Sequence, residues 1–275
     1  SMSDRLSIHG RTVCITGSSS GMGRAIAEHL GALGATVYLM GRNAEPMEES
    51  KARIEAAGGK ADLATFDVAD TAALQAWIQR AADETGRLDV MINNAGFGDF
   101  GTSFLGGDPD IWKGMLDVNV LALAVGSQAA VAAMRATESQ GNIINISSVA
   151  AIRRDSGMYG ATKHAVNCIN ASLRSELEDD TIRVTSIMPG VFATNFSRNV
   201  GDDMMGMIAG MAGVENVERD AEGRVSREML AQLAANMSTT FGDVEDIART
   251  VEFVITQPIH LNIEELVIRP AKSFI

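Results

Sequence analysis

Thr12-Val-Cys-Ile-Thr16-Gly17-Ser-Ser-Ser-Gly21-Met22-Gly23-Arg-Ala-Ile26-Ala-Glu-His-Leu30 joins a short aliphatic and β-branched run to an apolar helical periodicity, Ile26, Leu30 and Leu33, through a turn of glycines and serines. Strand, glycine turn and helix in that order make a phosphate site. The glycines let the backbone turn sharply and approach a pyrophosphate, whose charge is met by free N–H groups and the positive end of the helix dipole. The spacing departs from the usual G-x-G-x-x-G, and an ordinary tight turn is the alternative reading. The position between a strand and a helix favours a dinucleotide. Gly17, Ser19, Ser20, Gly21 and Met22 are the contact candidates.

The rest of the chain repeats this alternation. Runs at Thr12–Thr16, Thr36–Met40, Ala61–Phe66, Val90–Asn93, Asn142–Ser147, Arg183–Met188 and Glu265–Ile268 read as strands. Helical patterns fill the gaps at Met22–Leu33, Met47–Ala57, Thr71–Thr85, Trp112–Ala136, Tyr159–Glu178 and Val244–Thr256. Such repeated βαβ units predict an α/β fold: one Rossmann-type, doubly wound parallel sheet of seven strands flanked by helices, spanning residues 2–275 as a single domain. Ligands in that architecture sit beyond the carboxyl ends of the strands. One stretch breaks the rhythm. From Val191 to about Thr240 no strand is evident and glycines interrupt the helical pattern, as in an active-site lid or a disordered segment.

Composition narrows the function classes. A net charge of −12 with no basic patch argues against nucleic acid and anionic membrane as partners. The polar N-terminus and the lack of any run approaching ~18 apolar residues predict a cytoplasmic protein with no membrane span. The two cysteines, Cys14 and Cys168, read as buried thiols rather than a disulfide. The four histidines show no metal-ligand spacing, so no catalytic metal is expected.

The second strand ends Tyr38-Leu-Met40-Gly41-Arg42, where a carboxylate would hold a ribose 2′-hydroxyl and an arginine a 2′-phosphate. Arg42 therefore points to NADP(H), the alternative being a solvated loop arginine. Further on, Tyr159 and Lys163 are four apart, on one face of a helix. The ammonium beside the phenol is expected to lower its pKa from ~10 towards the working pH, equipping it for proton exchange with an alcohol or carbonyl oxygen. Ser148, at a strand's carboxyl end, is placed to hydrogen-bond that oxygen. Singly, each has a plainer reading: a half-exposed helix face for the Tyr/Lys pair, a backbone-bonded polar residue for Asn119, a strand-end turn for Ser147-Ser148.

In order, Thr16 to Gly23, Phe66-Asp67-Val68, Asn93 to Gly96, Asn119, Asn145 to Ser148, Tyr159 to Lys163, and Pro189-Gly190 followed by Thr194 resemble the short-chain dehydrogenase/reductase family over nearly the whole chain. The resemblance implies an NADP(H)-dependent alcohol dehydrogenase or carbonyl reductase. It implies Tyr159 as general acid/base, Ser148 orienting the substrate oxygen, Lys163 binding ribose and tuning Tyr159, and Asn119 holding a water in a relay to Lys163. For the cofactor it implies Asp67 and Val68 around adenine, Asn94, Ala95 and Gly96 beside ribose, the Phe192 backbone with Thr194 at the carboxamide, and Pro189 and Gly190 among the contacts. It also implies a homo-oligomer, a tetramer built through the long helices. Ser148 is preferred in the doublet because it directly precedes Val149-Ala150, with Ser147 as the fallback. The segment between Ser148 and Tyr159 is about two residues shorter than the family's usual length.

The substrate is an alcohol or carbonyl compound of two candidate kinds. Phe97, Phe100, Phe104, Phe196, Met204, Met205, Met207, Ile208 and Met211 suit a bulky apolar compound or simple packing. Residues 257–270 instead resemble a branch containing NADP-dependent 3-hydroxy acid and serine dehydrogenases and carbonyl reductases. A small 3-hydroxy acid needs a cation, with Arg153, Arg154 and Arg198 as candidates. Two other functions share the fold: a non-catalytic NADP(H)-sensing regulator, and a lyase or dehalogenase lacking a nicotinamide site. The intact Ser148, Tyr159 and Lys163 oppose the first, and the glycine turn with Arg42 opposes the second.

Overall fold

The computed structural model describes residues 5–99, 102–190, 202–236 and 242–272. The strands β1 (Thr12–Ile15), β2 (Thr36–Gly41), β3 (Lys60–Thr65), β4 (Val90–Asn93), β5 (Gly141–Ile146), β6 (Ile182–Pro189) and β7 (Glu265–Ile268) form one parallel sheet in the order β3-β2-β1-β4-β5-β6-β7. Winding reverses between β1 and β4, so their carboxyl ends open the crevice where such sheets bind ligands. Central strands lack a polar face because helices cover both sides: every residue of β1, β4 and β5 is buried.

Helices α1 (Gly21–Ala32), α2 (Ala44–Ala56), α3 (Thr71–Thr85), α4 (Pro109–Met115), α5 (Leu123–Ala136), α6 (Gly157–Glu176), α7 (Asp202–Ala212), α8 (Arg227–Asn236) and α9 (Val244–Ile255) complete the described elements. Val13, Ile15, Leu39 and Ile92 pack with Ile26 and Leu30 of α1 and Val251 of α9 on one side of the sheet. Cys14, Tyr38, Met40 and Met91 alternate to the other side, against Leu74, Trp77 and Ile78 of α3 and Ala130 and Met134 of α5. Met205, Ile208, Val225, Met229, Leu230 and Leu233 form a third, separate cluster between α7 and α8.

Three expectations need correction. The helix read from Trp112 starts at Pro109, with the Asp108 carboxylate accepting from Asp110 N, and it contains a π-helical stretch, Leu116–Ala122. Its 28 residues Pro109–Ala136 are long and apolar enough to cross a bilayer by length and composition, contrary to the expected lack of such a run. Its α5 part packs against β4, β5 and α3. Cys14 is buried as expected, whereas Cys168 is exposed on α6.

The seam between β1 and β4 is pinned at its lower end by a buried carboxylate. Asp89 Oδ2 accepts from Thr12 N at 2.7 Å and from Arg87 Nε at 2.7 Å, and Arg87 Nη2 donates to Oδ1 at 2.9 Å. Truncating it strands the buried Thr12 N–H, while the half-exposed Arg87 can turn to water, so Asp89→Ala is expected to cost about 1–3 kcal/mol of stability, with Asp89→Asn costing less. Urea unfolding checks this; equal midpoints for Asp89→Ala and the parent would show that the carboxylate contributes nothing to the seam.

Candidate active site

The glycine turn after β1 is held from two sides. Ser18 Oγ donates to Ile15 O at 3.0 Å and accepts from Met40 N at 2.9 Å, tying the turn to β2. Thr16 Oγ1 accepts from Asn94 N and Ala95 N at 3.0 Å each, and Asn94 Nδ2 reaches Gly17 O at 3.1 Å, tying it to the loop after β4. Gly17 and Gly21 both take positive φ, 62° and 58°. A Cβ at Gly23 would overlap Gly17 O, so α1 can enter this close to the turn only with glycine there. The first turn of α1 carries no carboxylate, and Ser20 makes no side-chain cap. Its N–H groups and dipole thus face the turn. Ser19 packs against Gly41 at the end of β2, next to the exposed Arg42. Asp67 is exposed, its Oδ1 accepting from Ala69 N, and Val68 is buried.

Beyond β4 and β5 the second group of residues converges. Ser148 Oγ accepts from Ala150 N at 3.1 Å and hydrogen-bonds the Tyr159 side chain. Ser147 is buried, its Oγ without a partner among the described residues, so Ser148 is the member of the doublet that meets the phenol. Lys163, on α6 with Tyr159, has its Nζ 5.6 Å from the Tyr159 ring centroid and donates to Ile146 O at 3.3 Å. A Cβ at Gly96 would stand 3.5 Å from Lys163 Nζ, which brings the loop after β4 directly over the ammonium.

Asn119 lies inside the π-helical stretch and is buried. It accepts from Phe97 N at 3.0 Å and donates to Phe97 O at 2.9 Å and to Thr162 Oγ1 at 3.1 Å. Thr162 in turn donates to Tyr159 O at 2.6 Å. Both amide hydrogens of Asn119 are used in bracing the loop after β4 against α6. Sequence reasoning missed Thr162, although a hydroxyl three residues after Tyr159 is a familiar helical back-bonding signal.

Electrostatics differ from the sequence argument at one point. Tyr159 is half-buried, and burial pushes the phenol's pKa up, with Ser148 offsetting this only partly. The expected lowering by Lys163 does not appear: burial dominates the shift, and Ser148 is what opposes it. Burial also lowers the Lys163 pKa, to about 8.

Pro189 ends β6 and Gly190 follows it, Gly190 N donating to Ile268 O at 2.7 Å. Phe100, Phe192, Thr194, Phe196 and Arg198 lie outside the described residues, as do the side chains of Met204, Met207 and Met211. Met205 and Ile208 are buried in the cluster between α7 and α8, and the Phe104 ring rests on Trp112 at 5.1 Å. Arg153 and Arg154 are both exposed. A cavity of about 410 Å³ lined by Arg174, Arg183, His260 and Glu264 lies at the opposite, amino-terminal end of β6, away from Ser148 and Tyr159.

Residues 11–205 match the family model described as short chain dehydrogenase. An uncharacterized oxidoreductase of Staphylococcus saprophyticus is 29% identical over 266 residues, covering 96% of this chain and 98% of its own. One of Staphylococcus aureus strain USA300 is 30% identical over 262 residues, covering 94% and 97%. Among solved structures, a metagenomic short-chain oxidoreductase in complex with NADP superposes with a TM-score of 0.73 at 29% identity, over 96% of this chain and 99% of that one. A short chain dehydrogenase from Burkholderia cenocepacia J2315, also in complex with NADP, gives 0.77 at 28% identity, over 96% and 98%. With its sheet order, its glycine turn and a family match across most of its length, the chain belongs to the short chain dehydrogenase family of oxidoreductases.

Proposed function

We propose that this chain interconverts a secondary alcohol and a carbonyl compound with NADP(H), Tyr159 serving as general acid/base. The observation that carries the reading is the convergence of Ser148, at the end of β5, with Tyr159 and the buried Lys163 ammonium, which lies 5.6 Å from the tyrosine ring centroid. The turn from Gly17 to Met22 suits a pyrophosphate: a Cβ at Gly17 would stand 3.0 Å from Ala95 Cα, and the uncapped first turn of α1 lacks any acid. Two similar structures are NADP complexes, and Arg42 at the end of β2 is free to meet a 2′-phosphate. Asp67 and Val68 would flank the adenine, Asn94 to Gly96 and Lys163 the ribose, and Pro189, Gly190, Phe192 and Thr194 the carboxamide.

When bound, the nicotinamide supplies or accepts the hydride. Ser148 and Tyr159 together hold the substrate oxygen, and in reduction the Tyr159 proton passes to it as it gains charge. A raised pKa keeps the phenol protonated at neutral pH, ready to donate. The Lys163 ammonium then faces the phenolate left behind, and Asn119 keeps the loop after β4 against α6. In oxidation the same groups act in reverse. The helical unit at α7 and α8 is read as the substrate lid. Exposed Ile111, Leu116 and Leu121 on the long helix support a subunit contact in a homotetramer.

Tyr159→Phe removes the hydroxyl that carries the transferable proton, so turnover is expected to fall about 100-fold or more while NADPH affinity stays nearly unchanged. Measured with small 3-hydroxy and 3-oxo acids beside bulky apolar secondary alcohols and ketones, the same assay identifies the substrate class. Retained turnover in the variant would remove Tyr159 from the chemistry.

Arg42→Ala is expected to weaken NADPH about tenfold or more and leave NADH unaffected, following the loss of a charge-assisted contact. Fluorescence titration with both nucleotides decides it, and an equal effect on the two would assign Arg42 to the surface.

Lys163 has its folded pKa lowered to about 8 from 10.5, which makes its buried charge a cost to folding of about 3 kcal/mol at neutral pH. That cost is fully present below pH 8 and is relieved as pH rises towards 10.5. Lys163→Met is therefore expected to unfold at higher urea than the parent at pH 7 and to lose that advantage towards pH 10.5, while turnover is lost. Identical midpoints across the range would contradict a desolvated ammonium.

A further inference from the structure

Between Ser148 and Tyr159 the backbone forms a 3-10 turn, Val149–Ile152, and then runs exposed into the N-terminus of α6. Carbonyls in such a segment lie outside any regular ladder and need donors from elsewhere. Three of them receive side chains from α6 and its cap. Ser156 Oγ lies 2.9 Å from both Ala150 O and Arg153 O. His164 Nε2 is 2.6 Å from Arg153 O, and since a carbonyl only accepts, Nε2 carries the proton. Asn167 Nδ2 donates to Ala151 O at 3.2 Å.

These donors are arranged by the helix. Gly160, His164 and Asn167 form a stripe at i, i+4 and i+7, immediately beside the stripe carrying Tyr159 and Lys163. Gly160 N donates to Ser156 O at 2.8 Å, and a Cβ at Gly160 would overlap Ser156 Oγ, so the glycine makes room for the hydroxyl to fold back. One face of α6 thus presents the phenol, and the adjacent face grips the segment that leads away from Ser148.

We propose that Ser156, His164 and Asn167 are positioning residues that clamp residues 149–155 and so fix where the Ser148 hydroxyl stands relative to Tyr159, and the shape of the wall beside the substrate. This rests on the alcohol and carbonyl reading above. A short connection between two groups that must meet one oxygen tolerates little slack, because small misplacements are costly to a reaction that depends on alignment. The clamp touches neither the glycine turn nor Lys163. It acts on kcat through Ser148 and leaves nucleotide binding alone.

The test compares Ser156→Ala, His164→Leu and the conservative His164→Gln with the parent, in NADPH-dependent reduction of acetoacetate and of acetophenone and in amide hydrogen exchange. Expected in Ser156→Ala and His164→Leu are a fall in kcat of about tenfold or more with NADPH affinity unchanged. Exchange should also rise at Ala151 and Arg153, whose N–H groups bond Ser148 O and Ala150 O. His164→Gln, which keeps a donor, should restore both. Unchanged exchange, or faster exchange with unaltered kcat, would overturn the proposal. Should the parent itself reduce neither ketone, the reaction assignment fails in the unsubstituted protein, and exchange alone then decides for or against the clamp.

Discussion

Thr16 Oγ1 accepts two backbone N–H groups, those of Asn94 and Ala95, at 3.0 Å each, and the side chain of Asn94 returns the contact to Thr16 O and Gly17 O. This small knot closes the sheet's switch point at its carboxyl end, where β1 and β4 part company and their following loops would otherwise be free. The loop after β1 turns towards α1 as a nest for anions, and the loop after β4 runs over Lys163 and into the grip of Asn119. Without the knot, the glycine turn and the Tyr159 end of the crevice would have no fixed separation. In the proposed reduction a hydride donor must address the carbon and a proton donor the oxygen of one carbonyl bond, so that separation is the first thing the fold has to set.

The knot also explains the buried polar groups nearby. Asn93 donates to Ser127 Oγ at 3.1 Å and to Asn145 Oδ1 at 2.8 Å, and Asn145 donates to Asn170 on α6. Amides in a core are costly unless paired, and here the pairing crosses from β4 to β5 to the helix that carries Tyr159 and Lys163. The helix is thereby held in register against the strands, where apolar packing alone would let it slide.

All seven strands and the helices flanking them were legible, since two-sided burial writes continuous aliphatic runs into β1, β4 and β5, and one-sided burial writes a 3.6-residue period into α1, α3 and α9. Ser148, Tyr159 and Lys163 could be proposed together from the sequence because they sit at one strand end and on one helix face, and the fold brings them close to one another. Other features left no mark. The π-helical stretch at Asn119 shifts backbone bonding without changing the apolar pattern, so Trp112–Ala136 reads as an unbroken helix, and the Asp108-Pro109 start signal ahead of it was passed over. The direction of the Tyr159 shift depends on how much water the fold removes, which spacing alone does not encode. A helical lid was expected over 191–240, but the bounds of α7 and α8 were obscured because their apolar residues answer to a small private core.

That private core has an evolutionary consequence. Met205, Ile208, Val225, Met229, Leu230 and Leu233 satisfy one another, in a cluster separate from the two that stabilise the sheet. A turn between them is closed by the Asp220 and Arg224 pair and by the bridge from Arg219 to Val225. Such a unit can drift, lengthen or be exchanged between relatives while the strands that hold the nucleotide crevice keep their packing. Change confined to that one piece then leaves the two clusters that stabilise the sheet untouched.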